Sequence, residues 1–274
     1  MIDAHHHLWK YNHSDYSWMD SEALSPLRRD YLVEDLVQAA GPSVTGTIAV
    51  QACQNLAETE WLLELAAQHA LIQGVVGWVP LSSPGVTSVL DRFSSNSIFK
   101  GVRHVVQDEP DDRFILRDDF NRGVEQLKRH NLIYDVLIFE RHLPHAIEFV
   151  DRHPRQVFVL DHIAKPRIRE DILEPWAHHI RDLARRENVY CKISGMVTES
   201  DWTRWTAQQL RPYFDVVLAA FGPKRLMFGS DWPVLTLAGH YRAWVDTVRS
   251  WIADLSPDEQ QRILTGTARE AYRL

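Results

Sequence analysis

The sequence predicts a (β/α)8 barrel, and three observations carry that reading. Eight short apolar segments recur along the 274 residues, amphipathic helical patterns lie between most of them, and the segments end in polar residues able to do chemistry. Strands covered on both faces read as nearly continuous apolar runs, and strands alternating with helices read as parallel βαβ units. Barrels of this class carry their active residues at the C-terminal ends of the strands. A doubly wound open sheet is the alternative, but no G-x-G-x-x-G or P-loop follows any strand, so the nucleotide signals of that fold are missing. No linker, repeat or low-complexity stretch divides the chain, and one domain over 1–274 is expected.

The first strand, IDAHHHL (2–8), holds three histidines in a row. Their apolar flanks, with Leu8 and Trp9 following, mark a buried strand rather than a purification scar. Side chains alternate along a strand, so Asp3, His5 and His7 are expected on one face and His6 on the other. The irregular stretch 9–31, rich in aromatics, is expected to fold over the barrel mouth. The second and third strands are VTGTIAVQAC (44–53) and IQGVVGWVPL (72–81), with a helix over 55–70 between them. FKGVRHVV (99–106) precedes a helix over 116–130, acidic at its start and basic at its end as the helix dipole favours. LIYDVLIF (132–139), QVFVLDHI (156–163), NVYCKISG (188–195) and RLMFGSDWP (225–233) complete the set. Helices over 143–154, 174–188 and 203–222 separate these four, and Pro212 should kink the last or split it in two. Two more follow, over 239–253 and 256–272, the second opened by Ser256 as cap, Pro257 at the first position and Glu259 three residues on.

Composition narrows the function. A net charge of −7 with no basic block argues against nucleic acid or a membrane surface as partner. No apolar run is long enough to span a bilayer, and the N-terminus has no signal-peptide pattern. Cys53 and Cys191 lie in apolar runs with neither a disulfide framework nor zinc-finger spacing, which fits inert buried thiols in a reducing cytoplasm.

The strand ends supply the chemistry: His5 and His7, Gln51, Trp78, Arg103 and His104, Asp135, Asp161 and His162, Lys192 and Ser194, then Asp231 followed by Trp232. Buried polar groups are costly without partners. Either these groups satisfy one another in a buried network, or several meet at one barrel end as a site. His13, His69, His130, His142, His145, His153, His178, His179 and His240 fall on helices or loops and receive no role.

His-x-His on the first strand with the aspartate of GSDWP on the eighth resembles the amidohydrolase superfamily. IDAHHHLW, LSPLRRDY, GVRHVVQDEPD, LDHIAKP, CKISG and LMFGSDWP together resemble its lactonase branch, which includes L-fuconolactonase-like, L-rhamnonolactonase-like and pyrone-dicarboxylate lactonases. The resemblance runs from residue 1 to about 270 and implies a hydrolase of a small sugar-acid lactone, an aldonolactone such as a deoxy-sugar 1,4- or 1,5-lactone. Binuclear members resemble one another in a bridging lysine or glutamate on the fourth strand and a histidine on each of the fifth and sixth. Here the fourth strand ends in Arg103 and His104, the fifth offers Asp135, and only the sixth has a histidine, His162, which argues against two metals. His5, His7, His162 and Asp231 suit one Zn²⁺ with a position left for water, and the resemblance also allows a metal-free mechanism.

Lactone opening needs an activated water, a polarised carbonyl and a stabilised oxyanion. Asp231 is the expected base, made more basic by desolvation beside Trp232. His162, with His5 or His7, is expected to polarise the carbonyl directly or through the metal. Arg103 and His104 are expected to bind the carbonyl or the developing carboxylate. Lys165 either does the same or is a solvated loop cation. Trp78, Trp232 and aromatics of 9–31 are expected as a floor for a sugar ring, or else as ordinary packing, and Asp111 and Asp112 as hydroxyl partners or turn formers. A decarboxylase or pyrone-type hydrolase of the same superfamily is the second reading, and a non-catalytic binding barrel the third. The expected partner is the small lactone alone, with a homo-oligomer left open.

Overall fold

A computed structural model describes residues 1–274. Eight parallel strands pair in sequence order: β1 (Ile2–His6), β2 (Gly46–Val50), β3 (Ile72–Gly77), β4 (Phe99–Val105), β5 (Ile133–Leu137), β6 (Phe158–Leu160), β7 (Val189–Ile193) and β8 (Leu226–Phe228). The ring closes just beyond β8. Asp231 N donates to His5 O at 2.8 Å and His7 N to Trp232 O at 2.6 Å. The segment that seals the barrel is therefore the one that carries Asp231, and it lies hydrogen-bonded against His5 and His7.

The helices are α1 (Val33–Ala40), α2 (Leu56–Gln68), α3 (Val86–Ser94), α4 (Asp118–Leu127), α5 (Leu143–Arg152), α6 (Trp176–Leu183), α7 (Ala207–Phe221), α8 (Tyr241–Trp251), α9 (Pro257–Gln261) and α10 (Thr267–Tyr272). The sequence pattern does not announce α1 or α3. Helix α3 is rich in β-branched and serine residues of modest helix propensity, and burial of Val86, Leu90 and Phe93 along one face holds it. Helix α7 runs unbroken through Pro212, so the expected junction is not there. At α9 the expected box forms: Ser256 Oγ accepts from Glu259 N, and the Glu259 carboxylate accepts from Ser256 N at 2.9 Å.

The interior is layered along the barrel axis. At the bottom, Ala4, Ile48, Val50, Val76, Ile133, Val159 and Met227 make an apolar layer, plugged by Ala268, Ala271 and Tyr272 of α10. Above it lies a buried polar layer of His5, Gln51, Arg103, Asp135, Asp161 and Lys192. Alternation along β1 is broken. The β1–β2 register shifts between Asp3 and His6, as a bulge does. His5 and His7 reach the site and His6 turns to Thr47 of β2 as expected. Asp3 does not share the face of His5; it accepts from Ser230 Oγ at 2.6 Å and from Tyr241 OH of α8 at 2.8 Å.

The stretch 9–31 is anchored at both ends. Trp9 and Tyr31 exchange backbone hydrogen bonds, and Tyr16 OH donates to Glu58 of α2 at 3.0 Å. Glu58 also accepts from the backbone N–H groups of Ala52 and Cys53, so one carboxylate joins this stretch to the end of β2.

Candidate active site

A cavity of about 290 Å³ opens at the C-terminal end of the barrel. His7, Arg103, His162, Lys165 and Asp231 line it, with Asp15, Ser17 and Trp18 from the stretch after β1 and Val105, Gln107 and Asp108 from the end of β4. His5 lies at its base, fully buried.

Four ring nitrogens and carboxylate oxygens converge. Asp231 Oδ1 is 3.4 Å from His7 Nε2, 3.7 Å from His5 Nε2 and 3.9 Å from His162 Nε2, while the two Nε2 atoms of His5 and His7 are 3.2 Å apart. His5, His162 and Asp231 each offer a ligand atom, all within 4.8 Å of one another. Donors around one tetrahedral zinc, with bonds of about 2.0–2.1 Å, lie roughly 3.3 Å apart. The tautomer of His7 agrees with that use. His7 Nδ1 faces Val50 O at 2.8 Å, and a carbonyl only accepts, so the proton sits on Nδ1 and Nε2 points a lone pair at Asp231. His162 Nδ1 meets Ser194 Oγ at 2.9 Å, which fixes that ring in turn. A lone pair and a carboxylate aimed at one point call for a cation between them, and the set fits one ion.

Burial holds the imidazoles neutral. Desolvation lowers His7 and drives His5 well below its ordinary value, and it outweighs Asp231 and Asp161 to bring His162 to about 4. Neutral imidazole is the form that ligates. Asp231 corrects the expectation of a raised base. Burial pushes its carboxyl up, but His162, His7 and Lys165 more than reverse that, and it lies below the usual carboxylate value. It is therefore ionised at neutral pH.

The polar layer underneath explains the remaining strand-end residues. Lys192 Nζ reaches Asp135 Oδ2 at 2.5 Å, Asp161 Oδ1 at 3.0 Å and His5 Nδ1 at 3.1 Å. Arg103 donates to Asp161 Oδ2 at 3.1 Å and to the backbone carbonyl of Gln51. Burial raises Asp161, but Lys192, His5 and Arg103 more than reverse it and leave its carboxyl well below the usual range. Two cations and two carboxylates thus neutralise one another, and the layer orients His5 from below.

The turn after β6 has an unusual hand. His162, Ile163, Ala164 and Lys165 have φ of 52°, 49°, 62° and 47°, a run of left-handed residues closed by Lys165 N donating to His162 O at 2.8 Å. Each such residue costs roughly 1–2 kcal/mol, so the surroundings must impose the turn. Trp176 Nε1 donates to Ile163 O at 2.7 Å. Gly195, at φ +65°, lets the His162 ring pass: a Cβ there would lie 2.6 Å from Nδ1. The turn carries His162 and Lys165, three apart, to the same cavity. Asp231 is left-handed too, at φ 59°.

Three expected substrate-binding residues do not line the cavity. His104, one residue past Arg103, alternates to the outer face of β4, stacks on Phe114 at 4.9 Å and pairs with Glu109 at 2.6 Å. Trp78 donates to His104 Nδ1 at 3.4 Å, and Trp232 packs edge-on against Tyr31. The aromatic that does reach the cavity is Trp18, set against Trp9 at 5.9 Å. Asp111 accepts from Arg113 N within its turn and Asp112 is bound by Arg141 and His142, so the segment's contribution comes instead from Gln107 and Asp108. Reading strand ends alone stops short of that pair.

Several known proteins are similar to this chain. The chain is 42% identical to an L-fucono-1,5-lactonase of Burkholderia multivorans over 289 residues, covering 100% of this chain and 96% of that protein. It is 34% identical to an L-fucono-1,5-lactonase of Burkholderia ambifaria, over 100% of this chain and 95% of the other. A crystal structure of an amidohydrolase from Burkholderia multivorans with bound zinc superposes with a TM-score of 0.93 at 40% identity, over 100% of this chain and 99% of that one. The family model described as amidohydrolase matches residues 2–274, and the chain belongs to that family.

Proposed function

We propose that this chain is a lactonase that opens a small sugar-acid lactone, a deoxy-sugar 1,5-lactone first among them, as one barrel domain over 1–274. The observation that carries the reading is the convergence of His5, His7, His162 and Asp231 at the mouth, backed by the lactonase relatives. His5, His7, His162 and Asp231 would hold one divalent ion, zinc by its donor set, which when bound acidifies water and polarises the lactone carbonyl. Asp231, ionised, takes the proton from the attacking water as its oxygen adds to the carbonyl carbon. The bond from that carbon to the ring oxygen then breaks, and Asp231 returns the proton to the departing ring oxygen, leaving a hydroxy acid. Lys165, beside His162 on the left-handed turn, faces the developing negative oxygen and then the product carboxylate. Arg103, bound to Asp161 and Gln51, lends positive potential from the cavity floor.

Cys53 and Cys191 are buried free thiols, which supports a reducing, cytoplasmic setting. No helix is long and apolar enough to cross a membrane. The test is a panel of aldonolactones and an unsaturated dicarboxylic lactone assayed with a pH indicator, since ring opening releases a proton. The sugar lactones should acidify the medium, and Asp231→Asn should cut turnover by roughly 10²–10⁴ with binding nearly intact. Turnover of the dicarboxylic lactone alone, or near wild-type activity of the variant, overturns the reading. Metal analysis and chelation of the same preparation should find one ion per chain and reversible loss of activity.

A further inference from the structure

Resting on the lactonase reading, we infer that Tyr16 is a positioning residue for the lactone: its hydrogen bond to Glu58 of α2 holds the Trp18 ring in the cavity wall as a preformed platform for the sugar ring. Asp15, Ser17 and Trp18 line the cavity, while Tyr16 among them is buried, 4% exposed. Of the ten tryptophans Trp18 alone is exposed, at 37%. An aromatic ring left open at the mouth of a cavity is apolar surface that a ligand can cover. The C–H bonds of a sugar ring lie on its faces, and the electron-rich face of an indole meets them without asking for a hydrogen bond.

The tie itself is a buried carboxylate with three donors. Tyr16 OH donates to Glu58 Oε1 at 3.0 Å, and Glu58 Oε2 accepts from Ala52 N at 2.9 Å and Cys53 N at 3.0 Å. Ala52 and Cys53 line the cavity too, so Glu58 joins two parts of its wall. Glu58 is the third residue of α2, where a glutamate commonly turns back to the N-cap N–H. Here Asn55 caps the helix, its Oδ1 accepting from Glu58 N at 2.6 Å, and the Glu58 carboxylate reaches outward instead. Asn12, Ser14 and Asp15 bond one another and His13 meets Asp20, all within the stretch after β1. Among residues 12–18, Tyr16 therefore supplies the side-chain hydrogen bond that reaches a barrel helix. Its ring packs on Trp9 at 6.0 Å, and Trp9 meets Trp18 edge-on at 5.9 Å, so the tie reaches the platform through one fully buried ring.

A wall ordered before binding does not charge its ordering to the ligand. The platform touches the ring's face and not the reacting atoms at Asp231, so it holds substrate and transition state alike. Loss of such uniform binding raises KM and leaves kcat in place.

The experiment measures kcat and KM on a 6-deoxy-sugar 1,5-lactone for wild type, Tyr16→Phe, Glu58→Gln, Trp18→Ala and the double variant Tyr16→Phe with Trp18→Ala. Tyr16→Phe should raise KM about tenfold and leave kcat within about twofold of wild type. Trp18→Ala should raise KM at least as much, and the double variant should be little worse than Trp18→Ala, because the tie acts through the ring it holds. Glu58→Gln should keep KM near wild type, since an amide offers its oxygen to the Ala52 and Cys53 N–H groups and its NH2 to the Tyr16 oxygen. An unchanged KM in Tyr16→Phe, single effects that multiply in the double variant, or a rise in Glu58→Gln as large as in Tyr16→Phe overturns the assignment while leaving the lactonase reading intact. Failure of wild type to open any sugar lactone overturns both.

Discussion

His6 and His162 differ in role but share one physical condition. Burial lowers His6 to about 3 and, as the largest influence, His162 to about 4. An unfolded imidazole takes its proton near 6.5. The folded chain resists protonation that the unfolded chain accepts, so this stability is whole above pH 6.5 and is lost as pH falls from 6.5 toward the folded values. At pH 5 each residue should account for on the order of 2 kcal/mol. Urea unfolding at pH 7.5 and pH 5 should show that fall, and His6→Gln should remove part of the difference. At this scale much was legible. His5, His7, His162, Lys165 and Asp231 could be found because each ends an apolar run or follows one closely. The low carboxyl value of Asp231 could not, because it depends on His162 and Lys165, which only folding brings near. Nor could the place of Gln107 in the cavity wall, which depends on the turn after β4.

The eight strands were legible because both faces of each are covered, which forces apolar composition on them. Helices α1 and α3 were not, because packing rather than propensity makes them. The bulge in β1 was hidden as well, since alternation assumes an unbroken register. Between β7 and α7, Gly195 has a job that no pattern reveals. Its positive φ and the 2.6 Å approach of His162 leave no room for a methyl group. Gly195→Ala should therefore displace the imidazole, lowering turnover at least tenfold and costing about 1–3 kcal/mol of stability. Kinetics and thermal unfolding of the same variant check both.

Over the whole molecule, the C-terminal helix and the site are joined by a buried chain of contacts. Tyr272 OH donates to Asp135 at 2.9 Å, Asp135 meets Lys192, and Lys192 meets His5. Tyr272→Phe keeps the plug's shape but leaves Asp135 one donor short, and should cost about 1–3 kcal/mol in unfolding free energy. Turnover should change far less than in Asp231→Asn, because the chain neutralises and orients rather than reacts; steady-state kinetics on the refolded variant check this. The left-handed turn after β6 bears on time as well as shape. Such a turn opposes the local preference of each of its four residues, so it cannot act as a seed in a growing structure. It waits for Trp176 of α6 and Ser194 beyond β7 to be in place. During refolding from urea, recovery of catalysis should trail recovery of tryptophan fluorescence. Parallel recovery of the two signals would mean that the turn forms early, against its own backbone.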